Sequence, residues 1–263
     1  MEFLTLKNLY PLPVFIGEEI WHFSLLKSGF QKAKELIDLY PKSAHGRILI
    51  AEEISEAKGR FQRTWLANKG GLWCVLTLYD ELLPENHNLL SIFIGLALIR
   101  TIRSLGLSEV YLKWINDIHY KGKKLAGVLL QRYNDWILCG LGLNVNNPLP
   151  STLPAINMKS LLKKEVSIHR VLEVLILWLN YYYKMLWDYE KKHIPEHSDK
   201  NPLIEDLKAY SDTLGKCVYY SYNLEAPEEG IFGIAIDFTE KGALIISTKE
   251  SLIEVSSGEI IYI

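Results

Sequence analysis

The chain has 263 residues, 49% hydrophobic and 23% charged, which fits a globular protein that buries a sizeable core as one large domain or one domain plus a small one. Its 29 basic and 31 acidic residues leave a net charge of −2, with both signs mixed along the chain, so the basic footprint of a nucleic-acid binder is missing. Cys74, Cys139 and Cys217 lie far apart without a C-x-x-C spacing, which predicts reduced thiols in a cytoplasmic protein.

The opening MEFLTLKNLYPLPVF has no basic segment followed by a long apolar one, so residues 1–18 are read as an irregular lead-in and not a secretion signal. GFQKAKELIDLY places Phe30, Ala33, Ile37 and Tyr40 at helical spacing, with Ser28 available as a cap. RILIAEE is a short buried strand. ISEAKGRFQRTWLANKGG is polar, glycine-containing and without either period, and is read as a loop. LWCVLTLY is a strand, and HNLLSIFIGLALIRTIRSLGL an apolar helix that stops near Gly106. EVYLKWIND and IHYKGKKLAGVLLQRY predict paired strands that turn around Lys121 and Gly122. DWILCGLGLNVNN is a strand followed by a bend, and PLPSTLPAIN a proline-punctuated connection. The run from Ile168 predicts a long helix capped by Ser167; its most apolar part, Val171 to Leu186, is broken by Glu173, Asn180 and Lys184 and is too polar and short to span a bilayer. From about Gly215, KCVYYSY, EGIFGIAID, GALIIST, SLIEV and GEIIYI predict five short strands of a barrel-like second domain.

Two apparent motifs carry little chemistry. HIPEH at 193–197 matches an H-x-x-E-H zinc pattern, but Pro195 stands between histidines that would have to share one helix face, so it is read as a solvated loop. GLGLNV begins like a dinucleotide-binding G-x-G-x-x-G but has Val145 at the third glycine. The stretch KWINDIHYKGKKLAGVLL is different. Lys124 abuts the apolar run Leu125 to Leu130, and desolvating a lysine is costly unless an anion compensates it. Asn116 and Asp117 can serve Mg²⁺ and phosphate oxygens, and the polar loop with Lys58, Gly59, Arg60, Arg63 and Trp65 adds mobile cations and an aromatic face. Together they suit activation of a carboxylic acid by ATP. On pattern alone, a solvated hairpin lysine, a turn-forming aspartate and a plain loop remain open.

The order of these pieces resembles the biotin–protein ligases. KWINDIHYKGKKLAGVLL is similar to that family's K-W-P-N-D…K-L-A-G-I-L, with Ile115 for the proline; ILIAEEISEAKGRFQRTW to its V-A-x-x-Q-x-x-G-R-G-R-x-G-R-x-W; GLGLNVNN to its G-x-G-I-N-V-N; and KSGFQKAKEL to its D-S-T-N-x-x-A-K-E-L. The resemblance runs from about residue 20 to the end. It implies an α+β fold, a mixed β-sheet packed with helices (20–212) after an N-terminal extension (1–19), plus a small C-terminal SH3-like β-barrel (213–263). It implies a cytoplasmic, monofunctional enzyme without an N-terminal DNA-binding domain, and allows a homodimer. With ATP and Mg²⁺ it would make biotinyl-5′-AMP from biotin and biotinylate a lysine of a biotin carboxyl carrier protein, with no nucleic-acid or membrane partner. The alternatives are a ligase for another acid, such as lipoate, or a degenerate binding module without turnover.

The resemblance also assigns residues. Lys124 would contact both the biotin carboxylate and the adenylate; with Arg60 and Asp117, the metal-side carboxylate, it forms the catalytic set. Ser28, Gly29, Phe30, Ile54, Lys58, Gly59, Arg60, Gly127, Leu129, Gly140 and Gly142 would surround biotin. Arg63, Trp65, Trp73, Asn116 and Asn144 would serve the nucleotide, Trp73 with the alternative of being core. Five departures fall in the same site. Gly29 and Phe30 stand where the family has Thr and Asn, Ile54 where it has Gln, Ala57 for the loop's first glycine and Gln62 for its last.

Overall fold

The computed structural model describes residues 15–193, 200–225 and 230–263. HIPEH therefore lies, apart from His193, outside the described residues. The first sheet has seven strands: β1 (Ile20–Leu26), β2 (Ile48–Ile54), β3 (Leu72–Tyr79), β4 (Tyr111–Lys113), β5 (Asp117–Tyr120), β6 (Lys123–Tyr133) and β7 (Trp136–Leu143), in the order β1-β2-β3-β7-β6-β5-β4. β1 runs parallel to β2 and every other pair is antiparallel.

Alternation along the central strands explains the layers. Leu49, Val75 and Leu138 point to one face, against Ala33, Leu36 and Ile37 of α1 (Gly29–Leu39). Ile48, Ile50, Cys74, Leu76, Cys139 and Leu141 point to the other, into the main core. That core is covered by α2 (Asn88–Ser104) and α4 (Ile168–His193), with the short α3 (Met158–Leu162) and α5 (Pro202–Tyr210) beside them. α2 is buried almost all round because it lies between the sheet and α4. The expected caps hold: Ser28 accepts from Gln31 N and Ser167 from Arg170 N. Arg47, its side chain fully buried, donates to the carbonyls of Leu36 and Tyr40 and so satisfies the C-terminal end of α1.

Three expectations needed revision. β1 carried no sequence signal, because as an edge strand it exposes both polar and apolar residues. The stretch 109–133 is three strands, not two: besides the turn at Lys121–Gly122, whose φ values of 47° and 78° suit a tight hairpin, Trp114–Asn116 form a second turn containing a cis Trp114–Ile115 peptide. Within the lead-in, Phe15 and Ile16 are buried, and Asn180 bonds Ile16 through both N and O.

The second sheet, β8 (Cys217–Ser221), β9 (Ile231–Phe238), β10 (Leu244–Ser247), β11 (Leu252–Val255) and β12 (Glu259–Tyr262), is antiparallel in the order β11-β10-β9-β8-β12. It is docked onto the Trp114–Asn116 turn of the KWIND motif. Trp114 Nε1 donates to Gly242 O (3.1 Å) and Trp114 N to Thr213 Oγ1 (3.1 Å). Asp212 gathers His119, Lys216 (2.6 Å) and the Tyr262 hydroxyl (2.8 Å). Burial pushes the Asp212 carboxyl up, but hydrogen bonds from His119, Lys216 and Tyr262 hold it well below the usual carboxylate range.

Candidate active site

A cavity of about 320 Å³ opens on the α1 face of the first sheet. Its cause is an absence of side chains. Gly127 on β6 pairs with Gly142 on β7, and Leu129 with Gly140, so three glycines leave a hollow in the middle of the sheet. Aromatic and charged groups roof that hollow. A Cβ at Gly140 would lie 2.6 Å from Phe30 Cζ, and one at Gly142 2.8 Å from Trp65 Cζ2. Only glycine lets those rings approach the strand so closely.

Lys124 crosses the third glycine. Its Cε would be 3.1 Å from a Cβ at Gly127, and its Nζ lies 2.7 Å from Asp117 Oδ1. The ammonium also sits 5.1 Å from the centre of the Trp65 ring. The backbone of Lys124 is fixed on its outer side by the proline-punctuated connection: its N–H donates to Pro154 O and its carbonyl accepts from Ile156 N. Asn116 is locked to β6 by Nδ2 donating to Val128 O (2.8 Å) and by Val128 N donating back to its carbonyl (2.9 Å). The turn of KWIND thus delivers Asn116 and Asp117 to the rim opposite Lys124.

The 54–71 segment is an ordered flap, with bridges Ile54–Ala67 and Lys58–Thr64 at its base. It brings Lys58, Gly59, Arg60, Arg63 and Trp65 to the cavity. Arg60 Nη1 donates to Gly258 O (2.7 Å) and reaches Asn116 Oδ1 at 3.5 Å. Trp65 Nε1 is buried without an acceptor among the described residues, a donor available to a ligand.

All but one of the expected site residues line this cavity: Ser28, Gly29, Phe30, Ile54, Lys58, Gly59, Arg60, Arg63, Trp65, Trp73, Asn116, Asp117, Lys124, Gly127, Leu129, Gly140 and Gly142. Asn144 is not among them. It is buried behind Lys124, where its side-chain Oδ1 accepts from Asn147 Nδ2 and its backbone N–H donates to Leu125 O. Trp73 is both core and wall: it is buried, donates to Asn68 O (3.0 Å) and meets Trp65 edge-on. Arg63 lies on the cavity, but its guanidinium is committed to Glu259, Glu225 and Asn223. Gly140 and Gly142 lie directly beneath Phe30 and Trp65, so these rings form the surface a ligand would meet there. The sequence reading missed Glu259, the wall residue from the second sheet. Its only signal was a lone charge in the otherwise apolar GEIIYI.

A cavity with one apolar end, a lysine–carboxylate pair at its centre and an arginine-bearing flap can hold an acid beside a polyanion. The Biotin/lipoate A/B protein ligase family model matches residues 31–144. A Mycobacterium tuberculosis relative named biotin–[acetyl-CoA-carboxylase] ligase is 27% identical over 86% of this chain and 84% of its own length. The Bacillus subtilis bifunctional ligase/repressor BirA is 24% identical over 93% of this chain and 74% of its own. The fold matches the Aquifex aeolicus biotin protein ligase in complex with biotin and ATP, with a TM-score of 0.78 at 24% identity over 93% and 98% of the two chains. By motif order, fold and these likenesses, this chain is similar to the biotin–protein ligases over most of its length.

Proposed function

We propose that the chain activates biotin with ATP as biotinyl-5′-AMP in this cavity and transfers the biotinyl group to a lysine of a biotin carboxyl carrier domain. The Lys124–Asp117 pair carries the reading: a partly buried ammonium at the meeting point of the apolar end, the flap and the KWIND turn. The names of the relatives and the ligands of the Aquifex structure support the same substrates. In the first step a carboxylate oxygen of biotin attacks the α-phosphorus of ATP, the bond to the bridging oxygen breaks, and pyrophosphate leaves. In the second, the acceptor amine attacks the acyl carbon, AMP leaves, and the amine gives up a proton. Lys124, Lys58 and Arg60 offset the charge that gathers on oxygen, so that catalysis is mainly positioning and electrostatics.

Among the described residues no group of three Asp, Glu, His or Cys could hold a metal ion. The cavity carboxylates are Asp117, held by Lys124, and Glu259, held by Arg63. That set fits Mg²⁺ arriving on the nucleotide phosphates, with Asp117 as its protein-side carboxylate, and not a dedicated metal cage. Bound there, the ion would neutralise phosphate charge.

We assign the acid and nucleotide chemistry to residues 20–212 with Phe15–Glu19 packed on them, and residues 213–263 to the small SH3-like unit that closes the outer wall. The mixed surface charge supports a monofunctional enzyme that does not bind DNA. Among the described residues no helix is long and apolar enough to cross a membrane. One observation favours a second acid: the cavity wall carries only two side-chain hydroxyls, those of Ser28 and Thr64, and Phe30 and Ile54 are apolar. An acid with a less polar head, such as lipoate, would lose less there. Pyrophosphate release measured with biotin, lipoate and octanoate separates the two readings.

A further inference from the structure

The flap between β2 and β3 carries Lys58, Gly59 and Arg60 onto the cavity, yet its own strands hold only its base. At the tip, Phe61 and Gln62 take φ values of 53° and 61° in succession, a left-handed pair that residues with a Cβ rarely adopt. Most of the contacts that hold this tip come from the second sheet and the loop that follows β8. Arg63 binds Glu259 through two parallel bonds, Nη1 to Oε1 (2.5 Å) and Nη2 to Oε2 (2.9 Å). Its Nε reaches Glu225 Oε1 at 2.7 Å, and its Nη2 reaches Asn223 Oδ1 at 3.2 Å. Arg60 Nη1 donates to the carbonyl of Gly258, next to Glu259, and Phe61 meets Tyr222 edge-on. Glu259 is in turn oriented by Leu224 N, at 3.1 Å. A bidentate Arg–carboxylate pair fixes both distance and orientation.

Electrostatics gives this pair a second consequence. Glu259 is a carboxylate on the wall of a cavity built for anions. Left alone it would repel them; paired with Arg63 it does not. Closing the flap therefore brings in Lys58 and Arg60 and cancels the one ill-placed charge.

We propose that Glu259 is a positioning residue for the ligase reaction. Through Arg63 it keeps the 57–65 flap closed over the cavity, so that the small sheet sets how long the acyl-adenylate stays enclosed. The proposal rests on the acid-activation reading given above. Its test uses the full chain and two readouts. Hydrogen exchange is followed without ligand at the amides of Gly59, Arg63 and Trp65, which are bonded within the flap. Glu259→Gln and Arg63→Gln should each speed that exchange about tenfold or more, the double variant no more than either single one, with β6 and β7 amides unchanged. With biotin and ATP but no acceptor, the wild type should stop near one pyrophosphate per enzyme, whereas Glu259→Gln should continue as adenylate escapes. Unchanged flap exchange in Glu259→Gln, or additive effects in the double variant, would overturn the clamp. Faster exchange with no pyrophosphate from the wild type would show the clamp holding and the ligase reading failing, and so remove the role assigned to Glu259 in that reaction.

Discussion

Replacing Ile54 by Gln tests what the apolar end of the cavity costs a polar ligand. The ureido head of biotin has two N–H donors and a carbonyl. At that end the side chains of Gly29, Phe30 and Ile54 return nothing to it, and Ser28 Oγ already accepts from Gln31 N at 3.3 Å. A neutral hydrogen bond contributes a net of about 0.5–1.5 kcal/mol, so a Gln making two recovers about 1–3 kcal/mol. The exchange loses roughly one methylene of apolar contact, about 0.8 kcal/mol. The net, near 1 kcal/mol, corresponds to roughly fivefold tighter biotin. Gly29→Thr, which restores another family side chain, should fail for a steric reason. A Cβ there lies 2.9 Å from Val75 Cγ2, in a packed cluster, and overpacking of this kind costs about 1–3 kcal/mol. Calorimetry with biotin and a thermal melt on both variants decide the matter. If Ile54→Gln bound biotin no more tightly, the placement of the biotin head at this end would be refuted; if Gly29→Thr cost no stability, the steric argument at Val75 would be.

Other perturbations follow from the same geometry. Lys124→Ala should reduce pyrophosphate release about ten- to a hundredfold, the worth of one charge-assisted contact, while the melting temperature holds. Gly127→Ala puts a methyl 3.1 Å from Lys124 Cε and 3.4 Å from Asp117 Oδ1; single-turnover kinetics should show a severalfold slower adenylation step with little change in stability. Arg47→Met strips the C-terminal end of α1 of its donors and leaves Glu19 with Trp21 as partner, and should cost about 1–3 kcal/mol in urea unfolding. Asp212 titrates below its ordinary value of 3.8 in the folded protein, so its stabilisation is present above about pH 4 and is lost as pH falls through the lower folded value. Urea melts of wild type and Asp212→Asn should therefore differ most near neutrality and converge in acid.

Much of this was legible because the chemistry of the site depends on residues whose cost elsewhere is high. A lysine against an apolar run asked for an explanation, and the cavity supplies it. Lys124 has Asp117, and Gly140 and Gly142 have the rings of Phe30 and Trp65. Strands buried on both faces, such as β3, announced themselves by unbroken apolar runs, and the caps Ser28 and Ser167 by residue type. What stayed hidden was long-range. Edge strand β1 has no buried face to impose a period. The environment of Asn144 depends on which neighbours the fold brings to it. Arg63 reads as a phosphate ligand until Glu259, 196 residues further on, takes both of its terminal nitrogens. A partner at that separation leaves no local pattern.

The central claim is that this cavity joins a carboxylic acid to AMP, and pyrophosphate release from ATP by the purified chain, with and without biotin, tests it most directly. The account predicts release that requires biotin, exceeds that with lipoate or octanoate, and falls at least tenfold in Lys124→Ala at unchanged melting temperature. Biotin-independent release, or release that survives Lys124→Ala at the wild-type rate, would contradict it.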